Sequence, residues 1–120
     1  MIGMLIYQEG LPFGMSPVRM DFRDGSTFVI GRHWETDLMI PDPNLRVSRL
    51  HVQIFYDSQS ENFYIEDNDS RNGTNLNGNL LTSGRSILLG SDVIELAPPD
   101  GIKFVFSSGL ESTADFNSPN

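Results

Sequence analysis

Four dipeptides punctuate this chain: Asp24-Gly25, Asn72-Gly73, Asn77-Gly78 and Asp100-Gly101. Such pairs favour tight turns with positive φ, because glycine has no Cβ and Asn and Asp tolerate the left-handed region. Between them, apolar and polar residues alternate. Met20 and Phe22 alternate with Arg19, Asp21 and Arg23, and Phe63 and Ile65 with Tyr64 and Glu66. Val52, Ile54 and Tyr56 share one face, as do Ile102, Phe104 and Phe106, while Ile94 and Leu96 flank Glu95. Period two over a few residues means half-buried strands. No stretch of helical length carries apolar residues at i, i+3, i+4 and i+7. The pattern predicts an all-β chain with strands over 2–8, 17–23, 27–31, 38–40, 51–57, 61–67, 75–80, 86–89, 92–97 and 102–107. Many short strands with frequent turns build a sandwich or a barrel.

A chain of 120 residues fits one core. It has no cysteine, which excludes disulfides and thiolate metal sites and fits a reducing cytosol. With only two histidines besides, no metal or cofactor is expected. No apolar run approaches the ~20 residues of a membrane span, and the segment from Met1 to Tyr7 reads as a first strand and not a signal peptide. The net charge of −8 argues against nucleic acid and anionic lipid as partners. Yet seven of the eight basic residues are arginine, the side chain suited to bidentate phosphate recognition.

Four of those arginines fall in loops. Gly31–Asp37 holds Arg32, Pro41–Leu50 holds Arg46 and Arg49, and Asp67–Asn75 holds Arg71. Loops between strands are where binding residues concentrate. Beyond the last apolar strand, the Ser-, Asn- and Asp-rich end has no period, so a folded domain over 1–107 and a tail over 108–120 are expected.

In order, the loops read Gly31-Arg32, Ser48-Arg49-Leu50-His51, Asp67-Asn68-Asp69-Ser70-Arg71-Asn72-Gly73-Thr74 and Asn77-Gly78. This series resembles the forkhead-associated (FHA) domain over about Ile2 to Phe106. The resemblance implies a β-sandwich of two mainly antiparallel sheets, with loops at one end holding a phosphothreonine peptide. It implies that Arg32, Ser48 and Arg49 contact the phosphate and that Asn72 bonds the peptide backbone. Gly31, His51, Gly73 and Thr74 are expected to shape the loops, His51 as a structural histidine that orients the serine loop. Arg71 stands where Thr or Ser is common in the family, and Asp69 and Asn68 also depart from its pattern. Arg71 is expected at the peptide. For Arg46, peptide contact and ordinary surface charge are equally open.

The chemistry of these side chains fits such a role. Phosphothreonine carries about −1.5 to −2 charges and three strong acceptor oxygens. Arginine offers a fork of donors, and serine adds one more. The partner implied is a protein phosphorylated by a Ser/Thr kinase, met in the cytoplasm, or the nucleus of a eukaryote. Two rival readings stand beside this one: a small hydrolase using Ser48 and His51, and a β-domain without peptide binding. No nucleophile elbow supports the hydrolase. The acidic start at Asp67 fails as a calcium loop, because Asn72 and Gly78 occupy the positions needing Gly and Glu. Trp34, the only tryptophan, is expected to pack under its loop, with peptide contact as the alternative.

Overall fold

The computed structural model describes residues 1–23, 26–43, 45–82 and 84–108 and contains, among them, eleven strands and no helix. The strands are β1 (Ile2–Glu9), β2 (Val18–Asp21), β3 (Thr27–Gly31), β4 (Leu38–Met39), β5 (Val52–Asp57), β6 (Asn62–Asp67), β7 (Thr74–Leu76), β8 (Asn79–Leu80), β9 (Ser86–Leu88), β10 (Val93–Leu96) and β11 (Ile102–Ser108). They form two sheets, ordered β2-β1-β11-β10-β7-β8 and β4-β3-β5-β6-β9. All pairings but β3 with β4 are antiparallel.

The period-two pattern decides which faces meet. Val52 and Ile54 of β5, Phe63 and Ile65 of β6, Ile94 and Leu96 of β10, and Ile102, Phe104 and Phe106 of β11 are all buried in one core. Phe63 packs edge-on against Phe22 and Phe106, with ring centroids 5.3 and 5.0 Å away, so it ties the two sheets together. Each such ring or aliphatic side chain contributes about 1.5–3 kcal/mol by leaving water.

The expected strand over 75–80 is two strands. Asn77 and Gly78 both take positive φ, 53° and 84°, and turn the chain back so that Leu76 faces Asn79. Positive φ at both central residues is the hairpin geometry whose twist matches its strands. β2, over Val18–Asp21, is shorter than the expected 17–23, although Phe22 still exchanges backbone hydrogen bonds with Met1, its partner at the next position of the β1–β2 register. β11 runs to Ser108, one residue past the expected end of the domain. The expected Asp24-Gly25 turn and the rest of the tail, 109–120, lie outside the described residues.

Register gathers the loops at one end. Ile30 pairs with Val52, and Val52 with Asp67, so the β3–β4, β4–β5 and β6–β7 loops leave from the same edge. Thr74 pairs with Leu96, and Leu96 with Ile102, which brings the β10–β11 turn to that end as well.

Candidate functional site

The first two loops run side by side. The Arg32 amide donates to the carbonyl of Ser48 at 3.0 Å and the His33 amide to that of Arg49 at 3.1 Å. Gly31 permits the approach: a Cβ there would fall on the carbonyl oxygen of Arg49. The β4–β5 loop is braced from within, where one carboxylate oxygen of Asp42 accepts the amides of Arg46 and Val47 at 2.6 and 2.7 Å. Val47 is buried and anchors the loop in the core.

His51 joins that loop to the next. Its imidazole is fully buried. Nδ1 accepts the Ser48 amide at 3.0 Å, and Nε2 lies 2.7 Å from the carbonyl of Gly73. A backbone N–H only donates, so Nδ1 is the bare nitrogen and Nε2 carries the proton. Burial lowers the pKa of His51 below its ordinary 6.5, against the pull of the Gly73 carbonyl and the Asp67 charge. The ring is neutral at pH 7.

Asp67 organises the third loop. Oδ1 accepts the hydroxyls of Ser70 and Thr74, both at 2.6 Å, and Oδ2 accepts the Ser70 amide at 2.8 Å. The Ser70 oxygen in turn accepts the Gly73 amide at 3.0 Å. Burial pushes the Asp67 carboxyl up, but these hydrogen bonds outweigh it and hold the pKa below the usual 3.8. Gly73 takes φ +84° at the corner, where a Cβ would also crowd Leu80.

These constraints bring Arg32, Ser48, Arg49 and Arg71 around one cavity of about 600 Å³. Arg32 donates through Nε to the carbonyl of Val47 at 2.8 Å, which fixes the fork and leaves its terminal nitrogens for a ligand. The Ser48 hydroxyl oxygen accepts the Arg71 amide at 2.9 Å, so its own hydrogen is free to donate outward. The Arg49 and Arg71 side chains are exposed and have no partner among the described residues. His33, Glu35, Leu50 and Asn68 complete the wall. A cavity with three guanidinium groups and a serine hydroxyl is built for an anion with several acceptor oxygens.

The family model of the FHA domain matches residues 28–97, a span that contains every one of these loops. The chain belongs to the FHA domain family. Over 55 residues it is 46% identical to Formin-J of Dictyostelium discoideum, a stretch that is 43% of this chain. The chain spans only 2% of the length of that relative. Among solved structures, the FHA domain of a hypothetical protein of Arabidopsis thaliana is 29% identical, with a TM-score of 0.73 over 90% of this chain and 87% of that one. The MEK1 FHA domain, determined in complex with a phosphothreonine peptide of HOP1, is 27% identical, with a TM-score of 0.67 over 89% and 96% of the two chains.

The remaining expected residues of this FHA domain fall in different places. Asn72 is exposed, and its Nδ2 donates to the carbonyl of Arg46 at 2.8 Å, while Oδ1 has no partner among the described residues. Thr74 is buried against Asp67. Arg46 lies outside the cavity. Its Nη2 donates to the carbonyls of Ala97 and Pro99 at 2.7 and 2.9 Å, clamping the β4–β5 loop to the β10–β11 turn, a structural tie that neither of the two open readings included. Trp34 does not pack under its loop; it is 74% exposed. The Ser48–His51 pair of a hydrolase is absent as well: His51 holds the serine's backbone amide and Gly73, and the serine oxygen holds Arg71. His33 and Glu35 belong to no motif, and adjacency to Arg32 was their only signal; Leu50 and Asn68 lie within the motifs but at positions to which no binding role was assigned.

Proposed function

We propose that this FHA domain is a phosphothreonine-dependent protein-interaction module whose work is recognition, without chemistry. The observation that carries the reading is the convergence of Arg32, Ser48, Arg49 and Arg71 on one cavity. In this reading, Arg32 and Ser48 grip the phosphate, one by a fork of donors and one by a hydroxyl already oriented by Arg71. Arg49 and Arg71 add charge from either side, and Asn72 offers Oδ1 to an amide of the extended peptide. The phosphothreonine complex of the similar MEK1 domain supports the ligand class. The partner is then a protein phosphorylated by a Ser/Thr kinase. The acidic chain, at −8, favours neither nucleic acid nor an anionic membrane as a ligand. A cytoplasmic or nuclear setting, where such kinases act, completes the proposal.

Chemical-shift mapping tests where the ligand sits. Titration with a phosphothreonine peptide should perturb the amides of 31–33, 48–50 and 68–73 first and most. Perturbations centred elsewhere would refute the assignment.

A further inference from the structure

We propose that a residue flanking the phosphothreonine docks its apolar side chain on Trp34 and Leu50, at the rim of the arginine-lined cavity. The inference rests on the phosphothreonine reading of that cavity and adds to it a determinant of partner choice. Trp34 is the only tryptophan and is 74% exposed. Its neighbours His33 and Glu35 both line the cavity. The indole stacks on the His33 imidazole, with centroids 5.5 Å apart and planes 26° from parallel. The Glu35 amide donates to Nδ1 of His33 at 3.1 Å, and the Thr36 amide and hydroxyl both donate to the His33 carbonyl. The stack is thus held from behind while the rest of the indole is bare.

Leu50 lines the same cavity and is 47% exposed. The hydrogen bond from the His33 amide to the Arg49 carbonyl joins the two loops, and Trp34 and Leu50 each lie one residue beyond that bonded pair. Neither side chain belongs to the core. A single exposed apolar residue needs no explanation. The leucine lines the charged cavity and the tryptophan stacks on a histidine that lines it, so bonded loops carry two exposed apolar side chains beside that cavity. Such aromatic anchors dominate recognition where a polar pocket fixes register. Continuity with the cavity also identifies the occupant as part of the same ligand. Trp34 lies two residues from Arg32, roughly 7 Å if extended, so the docked residue lies within about three positions of the phosphothreonine.

The test uses synthetic phosphothreonine peptides: one with alanine at every flanking position, and a series placing a single Phe or Leu at each position from three before to three after. Calorimetry on the wild-type protein should find one position that raises affinity about ten-fold over the alanine peptide. Trp34 fluorescence should shift blue with that peptide more than with the alanine peptide. In Trp34→Ala the advantage should shrink to about one-fold. Equal affinity for all the phosphopeptides would overturn the inference and leave the phosphate reading standing. An advantage undiminished in both Trp34→Ala and Leu50→Ala would do the same. If no phosphopeptide binds, while the unphosphorylated forms bind no worse, both readings fall together.

Discussion

At His51 two loops meet on one imidazole, and removing it frees the Ser48 amide and the Gly73 carbonyl at once. His51→Ala should therefore lower stability by about 1–3 kcal/mol, the cost of buried partners left unpaired. Peptide affinity should fall as well, because Ser48 loses its frame. An unchanged melting temperature would show that the ring does not join the loops. Acid should act in the same way. The folded state holds His51 neutral, with a pKa below 6.5, while the unfolded chain takes up the proton near that value. The unfolded state then binds more protons, so stability falls as pH drops below about 6.5 and is unaffected by this group above it. A thermal-melting series from pH 8 to 5 should show that slope in the wild type and lose it in His51→Ala. Arg32→Ala is the complementary case. Among the described residues its side chain makes one hydrogen bond, to the Val47 carbonyl, so stability should change by about 0.5–1.5 kcal/mol, whereas loss of phosphate contacts should weaken peptide binding by about 2–5 kcal/mol. Normal binding by a folded Arg32→Ala would remove this residue from the site. The structural role expected of His51 came from the FHA resemblance, and its bond to the Ser48 amide is local, three residues away. The structural role of Arg46 was not legible, because its carbonyl partners lie 51 and 53 positions further on.

The β6–β7 loop is organised from within by one carboxylate. Asp67 accepts three hydrogen bonds there, and Thr74, one of the donors, is fully buried. Asp67→Ala should cost about 2–4 kcal/mol, since it leaves the buried Thr74 hydroxyl and the half-buried Ser70 hydroxyl without their acceptor. It should also weaken peptide binding, because Arg71 and Asn72 ride on the same loop. A melting temperature reduced without any loss of affinity would show that Asp67 supports the fold and not the site. The Asp67 pKa is held below 3.8, so its contribution is present above that pH and is lost as pH falls through the folded value. At this scale most of the architecture was legible in the sequence. β5, β6, β10 and β11 alternate cleanly because each has one face on the core and one towards solvent. The β7–β8 hairpin was blurred because Leu76 and Leu80 flank its Asn-Gly turn and extend the apolar spacing across it. Trp34 was misplaced for a related reason: hydrophobicity alone predicts burial, and nothing local marks an indole that stacks on a histidine at the surface.

On the scale of the whole molecule, a cationic cavity sits on a strongly acidic chain. Screening resolves the conflict, because at physiological salt exposed charges fade beyond about 8 Å. The ligand therefore meets the local arginines and not the net charge of −8. Every core residue of the described chain precedes Ser107. Truncation after Ser108 should accordingly leave the melting temperature within about 2 °C of the full chain, a shift smaller than ~1 kcal/mol would give; a large drop would mean that residues 109–120 contribute to the fold. The central claim is that the cavity reads a phosphate. It is tested most directly by calorimetric titration with one threonine peptide in its phosphorylated and unphosphorylated forms, at 0.15 M salt. The phosphorylated peptide should bind at least about 100-fold more tightly, as the loss of several charge-assisted hydrogen bonds requires. Equal affinity for the two forms would contradict it.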